Sequence, residues 1–329
     1  MRQIAGLEQH RNDKVQLLRA ISIIAVVLLH TCPGGEWGVY CRPFINFPVA
    51  TFIFLSGYLS CVDNDNWAIF IKKRVLRVII PYVIWTILYC IAKKAWTPEA
   101  LLYNLIAARG HKIMYFIIVY IQFVLLTPFI GKLAKSHYRW AGWCIAPIAV
   151  LIFKYYPALS GIEYPSTLKI IIGNCCLVWF SFYYLGIILG NGILTRRDRL
   201  ALLVELYCFA LLLQIAEGYW LFQLGSDFYI RQTKLSAMLS TTIFLLIAYW
   251  YLKSSKKMGI NPALKLIGDY SFGIYLSHMM IKQILTSLPY YSNLPFVANS
   301  MVILLFSFLL VYCGDKLLGV RCSKWLGFK

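Results

Sequence analysis

The chain has 329 residues, of which 60% are hydrophobic and only 14% charged, with a formal net charge of +19 and a mean hydropathy of +0.68. Soluble domains carry about a quarter charged residues, so the composition excludes a water-soluble globular protein and indicates a polytopic membrane protein. The excess of Lys and Arg does not indicate nucleic acid, because these residues sit in short clusters between apolar segments, the pattern of membrane topology.

The first dozen residues, MRQIAGLEQHRN, are polar, and no small-residue cleavage site follows the first apolar run. No removed signal peptide is expected. A spanning helix needs about 20 mostly apolar residues. Ten stretches qualify: 15–33, 43–62, 77–94, 113–132, 140–156, 170–192, 200–222, 235–252, 264–286 and 298–319. Their links are short, with no internal repeat or low-complexity tract. The expectation is an all-α, polytopic integral membrane bundle of about ten transmembrane helices, forming one transmembrane domain over residues 1–329 with no soluble domain.

A cytoplasmic N-terminus places 22 of the 32 Lys and Arg residues on the inner side. They are Arg2, Arg11, Lys14 and Arg19; Lys72, Lys73, Arg74 and Arg77; Lys132, Lys135 and Arg139; Arg196, Arg197 and Arg199; Lys253, Lys256, Lys257 and Lys265; and Lys316, Arg321, Lys324 and Lys329. An even helix count then puts the C-terminus in the cytoplasm too. The loop 93–112 is the one misfit, with Lys93, Lys94, Arg109 and Lys112 outside.

The first apolar segment, LLRAISIIAVVLLH, keeps Arg19 and His30. They lie 11 residues apart. On a helix that puts them within about 20° of one face and about 16 Å apart along the axis, with Ser22 and Val26 between. Arg19 can snorkel and His30 can cap a helix end. Ionisable side chains at hydrocarbon depth, however, usually face a cavity and mark a pathway.

In TFIFLSGYLS, the small pair Ser56-Gly57 suits close helix packing; Ser56 as a nucleophile has no base near it in sequence. In IKKRVLRVIIPY, Arg74 and Arg77 share one helical face. Their guanidinium forks suit phosphate oxygens, and they equally suit a plain topological anchor. Glu205, in LLVELYCFALLL, reads as a buried acid and an arginine partner. In GDYSFGIYLSHMMI, His278 is a second membrane histidine with Tyr275 one turn before it, and Asp269 opens the helix, where a carboxylate suits the dipole. His10, His111 and His137 fall in links and read as solvated.

The ten cysteines form no C-x-x-C motif. Most lie in apolar runs as small hydrophobes, Cys175 and Cys176 being adjacent, and no metal site is expected. Cys32 and Cys41 share one short loop and can pair if it faces an oxidising compartment.

Taken in order, these residues resemble the membrane acyltransferase family 3. The likeness rests on Arg19-x10-His30, Phe52 with Ser56-Gly57, Arg74-x-x-Arg77 with Pro81-Tyr82, Ile274-Tyr275-Leu276 with His278, and the segment Met114–Pro128. Ile53 stands where the family often has a second Phe. Ile113 and Tyr115 stand where it often has a His and a Trp, and His111 carries over no role. The resemblance implies ten transmembrane helices in a plasma (bacterial inner) membrane. It also implies transfer of an acyl group, usually acetyl, from cytoplasmic acyl-coenzyme A to a hydroxyl of a sugar. Family acceptors include lipopolysaccharide O-antigen, enterobacterial common antigen, capsule, exopolysaccharide and peptidoglycan. Some members carry an extracytoplasmic esterase-like domain; this sequence reads as the stand-alone form.

The mechanism expected from these residues assigns Arg74, Arg77 and Arg19 to the donor and His30 to general-base catalysis. His278 supports His30 or orients the acceptor and, with Arg19, is expected among the catalytic residues; Ser56 and Tyr275 are expected to bind substrate. Acetyl-coenzyme A is a co-substrate, and no permanently bound cofactor is expected. A transporter of polysaccharide or lipid-linked sugar is the rival; the inverted repeats common in transporters are not visible here.

Overall fold

The computed structural model describes residues 2–64, 66–193, 199–254, 261–288, 291 and 294–328, with side chains from residue 13 onward. Among the inner-side cations expected from sequence, the side chains of Arg2 and Arg11, and residues Arg196, Arg197, Lys256, Lys257 and Lys329, lie outside this description. Helix is the regular structure of the described residues, with no strand among them. Among the described residues, nine of the ten expected spans coincide with stretches long and apolar enough to cross a bilayer. The remaining segment, 264–286, is two helices, α13 (Pro262–Asp269) and α14 (Ser271–Thr286). They break at Tyr270, whose N–H turns back to the Leu266 carbonyl at 3.1 Å. Gly and Asp before the break are poor helix formers. Asp269 therefore closes α13 and does not open the helix that carries His278.

The chain divides into two compact units. The first takes residues 1–59, 182–271 and 294–301. It contains α1 (Arg2–Thr31), α2 (Gly35–Cys41), α3 (Pro48–Tyr58), most of α10 (Phe180–Gly190), α11 (Leu200–Gln223), α12 (Leu235–Lys253) and α13. Small residues decide its packing. A Cβ on Gly186 would lie 2.2 Å from the Phe54 carbonyl, one on Gly190 2.2 Å from that of Tyr58, and one on Gly57 2.4 Å from that of Tyr183. Helices α3 and α10 thus touch backbone to backbone through a G-x-x-x-G pair and the glycine after Ser56. Helices α1 and α13 meet as closely, since a Cβ on Gly268 would fall 2.0 Å from the Gln16 carbonyl. Asp13 and Lys265 pair across the same contact at 2.5 Å.

The second unit takes residues 60–181, 272–293 and 302–329. Its core is α4 (Trp67–Ala92), with α5 (Pro98–Ile106), α6 (Tyr115–Lys135) and α16 (Val320–Trp325) packed against it. Trp85 Nε1 donates to the Leu326 carbonyl at 3.0 Å, and the Tyr89 hydroxyl donates to that of Leu276 on α14 at 2.8 Å. Such bonds satisfy polar atoms that lipid cannot. The apolar exteriors are bilayer-facing surfaces. Leu202, Phe209 and Leu212 on α11 are exposed, as are Met301 and Leu305 on α15 (Phe296–Leu317). Lipid solvates such a surface; water would not.

Candidate functional site

In the first unit, α1 buries Ala20, Ile23, Val26 and Val27. Arg19 and His30 are both half-buried. Arg19 Nη1 donates to Gln16 Oε1 at 3.3 Å, and Asp269 lies within its electrostatic reach. Between Arg19 and His30, Ser22 is fully buried, and its hydroxyl finds no hydrogen-bond partner among the described residues. Helical serines ordinarily bond back to the preceding turn. A buried hydroxyl left unpaired costs about 1–3 kcal/mol.

Two buried or half-buried cations of this unit do not stand out in the sequence, and one of them, Arg42, ties down the His30 end of α1. Arg42 Nη2 donates to the Leu29 carbonyl at 3.4 Å and its Nη1 to that of Ile230 at 3.5 Å. Lys234 is 2% exposed, and its ammonium reaches the Gln214 carbonyl at 3.4 Å. Gly218 leaves it room, since a Cβ there would stand 2.9 Å from the Lys234 nitrogen. Glu217 lies within electrostatic reach of Lys234 and accepts from the Ser236 N–H at 3.1 Å and from the Ser236 hydroxyl. Arg42 and Lys234 each border an apolar run, where a snorkelling cation is ordinary, so sequence gives no reason to single them out.

Ser56 is half-buried on α3, and the glycine after it makes the helix contact. One expectation is corrected in this unit. Glu205 is exposed on α11 and is no buried acid; the half-buried acid of that helix is Glu217, three turns on. Cys32 and Cys41 are free thiols.

In the second unit, Arg74 is half-buried. Its Nη1 donates to Ser60 Oγ at 2.9 Å, and its guanidinium lies 4.5 Å from the centre of the Phe70 ring. Arg77, one turn on, is exposed. The pair thus consists of one braced arginine and one open to its surroundings.

His278 on α14 is fully buried. Its Nδ1 lies 2.7 Å from the Tyr275 carbonyl and 3.2 Å from that of Ile274. A carbonyl only accepts, so Nδ1 carries the proton. In the neutral ring Nε2 is then the basic nitrogen. The Tyr275 ring lies 5.9 Å from the His278 ring, and its hydroxyl donates to the Ile113 carbonyl.

His111 departs from expectation. It is half-buried, with its ring 4.9 Å from that of Tyr89 and within electrostatic reach of His278. Burial, and then Lys93, Lys112 and Lys282, push its pKa down to about 4. The sequence held a signal for this cluster in the misplaced cations of loop 93–112. His137 is exposed as expected. His10 lies within α1, and its side chain is outside the description.

Compared with known proteins, residues 12–314 match a family model described as an acyltransferase domain. No curated protein and no solved structure gives a match.

Proposed function

The chain belongs to acyltransferase family 3 and is a multi-pass membrane acyltransferase, and from that premise we propose that it moves an acyl group, acetyl first of all, from acyl-coenzyme A to a hydroxyl of a cell-surface or lipid-linked carbohydrate. The observation that carries this reading is the Arg19–Ser22–His30 stripe of α1. It offers a cation, a buried hydroxyl with no partner among the described residues, and an imidazole on one helix face. A pantetheine arm, with its amides and its terminal thioester, answers the Ser22 hydroxyl.

In this reading Arg74 and Arg77 take the phosphates of the donor, and Arg19 takes a phosphate or the head of the arm. His30 accepts the proton of the acceptor hydroxyl as that oxygen attacks the thioester carbonyl. The carbon–sulfur bond breaks, an ester forms, and the coenzyme A thiolate leaves and is protonated. Imidazole is the side chain most often used as a general base. His278 positions the acceptor, with Ser56 and Tyr275 as further acceptor contacts. The protein sits in the plasma (inner) membrane with both termini cytoplasmic, so the donor is drawn from the cytoplasm.

Acetyl-coenzyme A binding and thioester turnover by purified wild type, His30→Ala and Arg74→Ala test the assignment. Wild type binds and slowly hydrolyses the thioester, His30→Ala binds with turnover down at least about a hundredfold, and Arg74→Ala binds weakly. Absence of any wild-type affinity for acyl-coenzyme A overturns the donor assignment.

A further inference from the structure

Helices α4 and α6 are pinned together at one end of the second unit. Lys135, which ends α6, pairs with Asp63 just before α4, and a Cβ on Gly131 would meet Val62 at 3.1 Å. Just inside this end a groove of about 360 Å³ opens between the two helices, lined by Ala68, Val75 and Leu76 of α4 and by Ile121 and Leu125 of α6. Lys72 lines it too, and no polar atom does. The methylene stem of Lys72 therefore lies in the groove, and its ammonium stands outside.

The groove has the dimensions and setting of a lipid chain site. Leu76 and Leu125 are exposed, so it opens onto the bilayer-facing surface. From Ala68 to Leu76 is about 12 Å along a helix, close to half of a hydrocarbon core about 30 Å thick. Trp67, the first residue of α4, marks the interfacial end, where Trp is enriched.

Two lysines serve that end. Lys132 follows Ile121 by 11 residues and Leu125 by 7. It shares their face of α6 within about 20° and stands about 10 Å beyond Leu125, toward the pinned end. Lys72 and Lys132 are both exposed, and among the described residues neither forms an ion pair or a hydrogen bond. Asp63 is taken by Lys135. The arginines assigned to the donor are elsewhere. Arg77 lies about 200° round α4 from Val75, and Arg74 is engaged by Ser60 and the Phe70 ring.

A groove with no polar atom offers water no partner, so in a bilayer it holds hydrocarbon. A lysine whose stem lies on apolar surface carries its charge out to headgroup depth. There each lysine favours an anionic lipid over a neutral one by about fivefold. We propose that the α4–α6 groove binds one chain of an anionic phospholipid whose phosphate is held by Lys72 and Lys132. The site rests on no part of the donor or acceptor assignment.

Native mass spectrometry of the full chain, titrated in detergent with phosphatidylglycerol or with phosphatidylcholine of the same chains, counts the bound lipids and gives their affinities. Wild type should hold one phosphatidylglycerol at least about tenfold more tightly than phosphatidylcholine. Lys72→Gln with Lys132→Gln should bring the two lipids within about twofold of each other, while Lys72→Arg with Lys132→Arg keeps the preference. Leu125→Trp, which fills the groove, should lose the bound lipid of either kind. Circular dichroism equal to wild type qualifies each variant as folded. Equal binding of the two lipids by wild type, an unchanged preference in the Gln variant, or a bound lipid that survives Leu125→Trp overturns the proposal. A dimer that forms in place of the bound lipid and dissociates in Leu125→Trp also overturns it, and assigns the groove to a second copy of the chain.

Discussion

Gly186 of α10 lies against Phe54 of α3 so closely that a Cβ would stand 2.2 Å from the Phe54 carbonyl oxygen. The obstacle is backbone, which no rotamer change can move aside. Helices in lipid associate through such contacts because no hydrophobic drive separates apolar surface from apolar solvent. Gly186→Val should destabilise the protein by about 1–3 kcal/mol, the ordinary cost of overpacking. Thermal unfolding in detergent should show it, while Leu212→Val, on the lipid-exposed side of α11, leaves the midpoint within error.

Ser22 separates stability from function. Its buried hydroxyl has no partner among the described residues, so Ser22→Ala should leave the fold as stable or up to about 1 kcal/mol more stable. If the hydroxyl meets the donor arm, the same variant raises the KM for acetyl-coenzyme A several-fold. An unchanged KM removes Ser22 from the donor path.

Gln122 on α6 holds the turn before α10 at both ends. Its Nε2 donates to the Asn174 carbonyl at 2.8 Å, and its Oε1 accepts from the Cys176 N–H at 2.9 Å. Gln122→Leu strands two backbone groups and should cost about 1–3 kcal/mol. Gln122→Glu keeps the acceptor and should fall between wild type and Leu in the same unfolding assay.

His111 should make stability depend on pH. Burial and three neighbouring lysines lower its pKa from 6.5 to about 4. Between those values the unfolded chain binds a proton that the folded chain refuses, so stability is full above about pH 6.5 and declines as the pH falls toward 4. His111→Phe keeps the stack on Tyr89 without a titrating group. Melts at pH 7.5 and 5 should differ less in the variant than in wild type. An imidazole NMR titration with a midpoint near 6.5 would refute the shift.

The acyltransferase chemistry makes its own demand. His30→Gln keeps a hydrogen-bonding side chain of similar reach but cannot accept a proton at neutral pH. Transfer should drop by about 10²–10⁴ with donor affinity retained, read as a fall in kcat with KM unchanged.

The helices, their approximate ends and the all-α bundle follow from sequence, because a spanning segment must satisfy its backbone internally and apolar length alone reports this. The Arg19–His30 register follows too, since helical periodicity fixes which residues share a face. Facing is another matter. Glu205 lies in an apolar run and is exposed, while Glu217, on the same helix, caps α12 through Ser236, because hydropathy is blind to which side of a helix meets a neighbour. The break at Tyr270 follows two poor helix formers, Gly268 and Asp269, and the first of them also packs α13 on α1. His111 reads as a solvated loop histidine because its surroundings come from residues as distant in sequence as Tyr89 and Lys282. Hydropathy and periodicity are sums over neighbours along the chain. Burial, partners and converging charge are set by residues that only the tertiary fold brings together.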